Sequence, residues 1–130
     1  MSPAALIDEA TRRSGVVWVT PAGDGRAHAL WHLWHDGRMY VVTGGLEQSL
    51  PTCSRAVIAV RSKAQQAGVV VRWVAEVEAV EHGSARWDEV VPLLHARRLN
   101  APDGEDQPAR WARESQLLAF TPTGELAPLP

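Results

Sequence analysis

The residues best placed to do chemistry lie between His28 and Ser49. There, two β-prone runs joined by Asp36-Gly37 end in Thr43-Gly44-Gly45-Leu46-Glu47-Gln48-Ser49. A strand that runs out into Thr-Gly-Gly and a short polar turn presents backbone N–H groups and small polar side chains at one sheet edge. That is a setting for an anion such as a phosphate. The histidines suggest less. His28 and His32 fall on one side of their run with Leu30 between them, about 13 Å apart at roughly 3.3 Å per residue. That is too far to share one metal ion without other ligands, so no metal site is expected. Ser14, Ser49, Ser54 and Ser62 lack a G-x-S-x-G context, and Cys53, close to Pro51, reads as a buried small residue rather than a nucleophile. Asp88-Glu89 and the acidic run from Asp103 to Asp106 read as solvated charge. No catalytic residue can be named from the sequence.

The elements that position these residues come mostly from the first two thirds of the chain. Ser2-Pro3 caps and opens a short helical arm over residues 1–13, with proline at the first helical position, where its missing N–H costs nothing. Gly15 to Thr20 is a β-branched run stopped by Pro21-Ala22-Gly23-Asp24-Gly25. Ala27 to His35 and Arg38 to Thr43 pair as a hairpin, because Asp-Gly tolerates the positive φ of a primed turn. Gln48 to Cys53 is a loop or a single helical turn, and Ala56 to Ser62 is the next strand. Val69 to Glu81 is the longest, and its second half alternates between two faces.

Helices come late. Ser84 caps a helix whose Trp87, Val90, Val91, Leu94 and Arg98 share one face, with a kink or break expected at Pro92. A polar connector, Asn100 to Pro108, leads to a second short helix through Arg113. Gln116 to Thr121 returns as the closing strand. Residues 84–115 thus form a helical insertion before the last strand of a single domain, 1–130. Short connections between neighbouring strands argue for an antiparallel barrel over a parallel sheet with crossover helices.

Composition removes several function classes. A chain of 130 residues suits one core and buries roughly two thirds of its unfolded surface. Thirteen basic and fifteen acidic residues, a formal charge of -2, give no general pull toward nucleic acid or an anionic membrane. No apolar run reaches the roughly 20 residues that span a bilayer. One cysteine excludes an internal disulfide and suits a reducing cytoplasm, the expected location. Six tryptophans beside one Phe and one Tyr is unusual aromatic usage. Trp18, Trp31, Trp34 and Trp73 read as barrel or dimer packing, with Trp31 or Trp73 the choice for stacking near a planar ring. Trp111 either caps the barrel or reaches a partner.

The order of Gly15-Val16-Val17-Trp18-Val19-Thr20, Ala27-His28-Ala29-Leu30-Trp31-His32, Asp36 to Thr43, Ala56 to Arg61 and Val69 to Val80 resembles a known family. It is the flavin-binding split barrels of the pyridoxamine 5'-phosphate oxidase and deazaflavin-dependent reductase group. The resemblance covers nearly the whole chain through strand patterns rather than a catalytic signature. It implies a mostly β, α+β fold, a six-stranded antiparallel split barrel, and a homodimer with the cofactor in a groove between subunits. Carried onto this chain, the cofactor-binding positions are Leu30, Trp31 and His32; Val42, Thr43 and Gly44; Gln48 and Ser49; and Arg61 with Lys63. The implied cofactor is FMN, with the deazaflavin coenzyme as alternative and haem or an empty groove behind them. The implied activity is that of an oxidoreductase on a small molecule, the alternative being a carrier or sensor module without turnover. The chain departs from the family at Glu47, where many members have a Lys or Arg for the phosphate, so Arg61 and Lys63 are expected to supply that charge.

Overall fold

The computed structural model describes residues 2–61, 68–98 and 104–129. Ser62, Lys63 and the first part of the connector, 100–103, lie outside the described residues. Strands Val16–Pro21 (β1), His28–Trp31 (β2), Leu33–His35 (β3), Arg38–Thr43 (β4), Arg55–Arg61 (β5), Val69–Val80 (β6) and Gln116–Leu126 (β7) form one antiparallel sheet in the order β2-β1-β5-β6-β7-β4-β3. The two edges, β2 and β3, are halves of one run joined at His32, so the chain itself closes the sheet into a six-stranded split barrel. The expected single strand from Ala27 to His35 is bent there. His32 and Leu33 are both buried, which breaks the alternation a flat strand would keep.

The turn chemistry acts as the sequence predicts. Asp36 and Gly37 adopt φ of 50° and 77°, and His35 pairs with Arg38 across them, a two-residue primed turn. Helix α1, Pro3–Arg13, is capped by the Ser2 hydroxyl, which accepts from the Ala5 N–H at 3.1 Å. It lies packed on the barrel with Ile7 and Thr11 buried. Helix α2, Ala85–Arg97, is capped by Ser84 and runs unbroken through Pro92. Pro92 and Asp88, whose carbonyl loses its partner, both sit on the exposed side, where that carbonyl is open to solvent. After a short 3-10 turn, helix α3 spans Gln107–Glu114.

Strand β7 outruns its predicted end at Thr121. Pro122 pairs opposite Ala75, where β6 carries a register shift between Trp73 and Ala75, and the Thr123 hydroxyl donates to the Val74 carbonyl. A proline without an N–H is tolerated at such an irregularity.

Two cores share β4. Met39 and Val41 point into the barrel with Val17, Val19, Ile58, Trp73 and Phe120, while Tyr40 and Val42 face Trp87, Val90, Leu94 and Trp111 of α2 and α3. Burial on both faces explains why Met39-Tyr40-Val41-Val42 is continuously apolar. Each such side chain contributes about 1.5–3 kcal/mol when fully buried. No helix among the described residues is long and apolar enough to cross a membrane.

Candidate functional site

The turn after β4 is built by close approach before it is a site. Gly44 and Gly45 have φ of 88° and 64°, and a Cβ on Gly45 would meet the Glu114 side chain at 3.1 Å and its carbonyl at 3.2 Å. Glycine is required here to let the turn lie on the junction of α3 and β7. The Ser115 hydroxyl donates to the Gly44 carbonyl at 3.0 Å, and the Gly44 N–H donates to the Gln48 carbonyl at 2.9 Å. That amide is spent inside the turn, so the Gly-Gly pair is not an open nest of donors.

Glu47 is the residue that departs most from its expected setting. Its side chain is 1% exposed, and Arg110 of α3, itself 6% exposed, donates to Oε2 at 3.0 Å. Arg98, at the end of α2, stands 3.5 Å from Oε1 with a third of its side chain exposed. The carboxylate therefore faces two arginines, and its charge is spent inside the protein instead of opposing a ligand. Sequence reasoning missed both arginines. They arrive from a helical segment far along the chain, and no local spacing ties them to the turn.

Around this cluster the polar and aromatic groups interlock. Gln48 pairs its side-chain amide with the Trp31 backbone, accepting from N–H at 2.9 Å and donating to the carbonyl at 2.8 Å, and so extends the open edge of β2. The Arg98 guanidinium stacks 5.4 Å from the Trp31 ring centroid, and Trp31 lies 6.3 Å from Trp111. Trp111 is fully buried under the helices, which makes it a cap for the barrel end. Its Nε1 and the Nε2 of Gln107, one helical turn away, are buried N–H donors with no partner among the described residues. Nδ1 of His95 meets Gln107 Oε1 at 2.9 Å.

The other predicted positions fall into distinct surroundings. Thr43, Gly44 and Ser49 line a cavity of about 370 Å3 with Arg113 and Glu114. Leu30 and Val42 are core residues, able to offer a ligand only their backbone. Arg61 lies on the outer face of β5, 5.2 Å above the Trp18 ring of β1. Val16 pairs with Trp31 and Trp18 with Ala59, two residues before Arg61 on the same face of β5. Arg61, Trp18, Val16 and Trp31 thus share one outward face of β5, β1 and β2.

His32 points the other way, into the core. It is 2% exposed, and its Nε2 lies 2.8 Å from the Thr11 carbonyl, which fixes the proton on that nitrogen. Burial lowers its pKa below the usual histidine range; the Thr11 bond opposes that shift and the Arg97 charge adds to it. Thr11 in turn accepts from Trp73 Nε1 at 3.1 Å, so His32 and Trp73 together pin α1 to the barrel. Trp73 is fully buried, edge-on to Trp34, and has no face left for a ligand. His28 contacts Asp24 at 3.0 Å. Burial pushes the Cys53 thiol up, which keeps it protonated and unreactive. Among the described residues no three His, Cys, Asp or Glu side chains gather to hold a metal ion.

No family model matches the sequence, and no curated protein matches it. Solved structures match it by fold. The heme storage protein HutZ from Vibrio cholerae superposes with a TM-score of 0.65 at 15% identity, over 98% of this chain and 94% of that one. A pyridoxamine 5'-phosphate oxidase candidate from Listeria innocua gives 0.63 at 11% identity, over 95% of each chain. A FAD-binding protein from Mesorhizobium loti gives 0.60 at 12% identity, over 92% of this chain and 87% of that one. Similarity at these identities is similarity of architecture, carried by strand order and barrel closure. The chain has the split β-barrel fold of the pyridoxamine 5'-phosphate oxidase-like proteins.

Proposed function

We propose that the chain binds a flavin, FMN or else the deazaflavin coenzyme, against the outer face of β1, β2 and β5, and serves as an oxidoreductase for a small molecule. The observation that supports this reading is the face itself. Trp18, Val16 and Trp31 form an apolar and aromatic floor with Arg61 on it, tied to the Thr43–Ser49 turn by the Gln48 amide on the Trp31 backbone. Such a floor suits a planar ring system, and the arginines and hydroxyls around it suit a phosphate. Val16 and Val70 are 48% and 42% exposed on this side of the sheet, so a second copy of the chain is the proposed cover, with the groove between the two. When bound, the flavin supplies the hydride transfer. The protein's part is to hold the phosphate with Arg61, Ser49 and Thr43 and to keep water from the ring with Trp31. The lone Cys53 fits a reducing cytoplasm.

A second reading, a carrier or sensor without turnover, is favoured by one observation. His32 is buried against the Thr11 carbonyl and the Cys53 thiol is held protonated, so neither is poised as an acid or base. A haem cargo would belong to this reading. The visible spectrum and melting temperature of the purified protein, with and without FMN, the deazaflavin coenzyme and haemin, separate these cases. A flavin-induced spectral shift with a raised melting temperature is expected; a colourless protein unmoved by either flavin would sink the first reading. Reduction of bound FMN by a nicotinamide donor distinguishes enzyme from carrier.

A further inference from the structure

We propose that Arg98 is an anion-binding residue of this site, held ready by Glu47 and Trp31 to grip the terminal phosphate of the flavin. The inference rests on the flavin reading for its ligand and on the Glu47 cluster for its geometry. Glu47 already accepts a 3.0 Å charge-assisted hydrogen bond from buried Arg110. The Nε of Arg98 stands 3.5 Å from the other carboxylate oxygen, an ion pair that falls short of a hydrogen bond. A guanidinium has five N–H donors in a planar fork suited to two oxygens of a phosphate. Here that fork is stacked on Trp31 and a third of the side chain is exposed, so its plane is set in advance and, among the described residues, its Nη donors are unspent. Pre-setting the side chain removes part of the ordering cost of binding. Arg61 also stacks on a tryptophan, but no carboxylate among the described residues aims it. Glu47, in the place of a phosphate-binding cation, thus acts at one remove: it is a positioning residue for a cation brought in by the helical insertion.

The test is a set of fluorescence-quench titrations of FMN and of riboflavin, which lacks the phosphate, into the wild type, Arg98→Ala and Arg98→Lys. The expected result is FMN affinity about tenfold or more weaker in Arg98→Ala, unchanged riboflavin affinity, and an intermediate Arg98→Lys. Unchanged FMN affinity in Arg98→Ala, or equal losses for FMN and riboflavin, would overturn the inference and leave the flavin reading in place. If the wild type binds neither flavin, that reading fails by itself. Inorganic phosphate at matched ionic strength then decides for Arg98: a melting-temperature rise in the wild type that is absent from Arg98→Ala keeps the phosphate site, and no rise removes it.

Discussion

His32 and Glu47 are two buried polar side chains handled in opposite ways. In the barrel interior, His32 is kept neutral: burial disfavours its charge, and one hydrogen bond to the Thr11 carbonyl uses its single proton. Under the helices, Glu47 is kept with two arginines, because an isolated carboxylate there would cost far more than a paired one. The barrel interior is therefore a scaffold whose few polar groups, His32, Thr11 and the Trp73 N–H, are spent on holding α1. The region between the Gly44–Ser49 turn, α2 and α3 is a place where charge has been collected. Among the described residues, the donors left to offer an anion lie in the second.

The largest break in this contrast is Glu47→Ala. Removing the carboxylate takes from buried Arg110 its 3.0 Å ion pair, and a loss of about 3–5 kcal/mol in urea unfolding is expected. A loss under about 1 kcal/mol would mean that the cluster is hydrated and that the contrast fails. Next is pH. The folded-state pKa of His32 is lowered, so below about pH 6.5 the unfolded chain takes up a proton that the folded chain refuses. Stability should fall as pH drops through this range by up to about 1.4 kcal/mol per pH unit, and the slope should flatten in His32→Leu. An unchanged slope in that variant would place the titration elsewhere.

Smaller effects sharpen the picture. Gln48→Ala removes two hydrogen bonds to the Trp31 backbone and should cost about 1–2 kcal/mol, with faster amide exchange at Trp31 as its local signature. Arg12→Ala, which breaks an exposed pair with Asp8 on α1, should cost no more than about 0.5 kcal/mol. A larger loss there would show α1 depending on surface charge more than on Ile7, Thr11 and the His32 bond.

Much of the scaffold is legible in the sequence because it is local. Asp36-Gly37, the Ser2 and Ser84 caps and the alternation in the second half of β6 each depend on residues a few positions apart. The bend at His32 is not. Ala29-Leu30-Trp31-His32-Leu33-Trp34 alternates well enough for one strand, and only closure of the barrel forces adjacent residues inward together. The site is less legible still. Thr43, Gly44 and Ser49 do come together, but Arg113 joins them from α3, and Glu47 meets Arg110 across 63 positions of chain. Charge in a turn can be read locally; the charge that answers it cannot.

The claim that the charged region, and not the barrel interior, selects the ligand is tested most directly by the ratio of FMN to riboflavin affinity in the wild-type protein. The account predicts FMN bound at least about tenfold more tightly, with the ratio shrinking as salt screens the phosphate contacts. Equal affinity for the two flavins at low salt would contradict it.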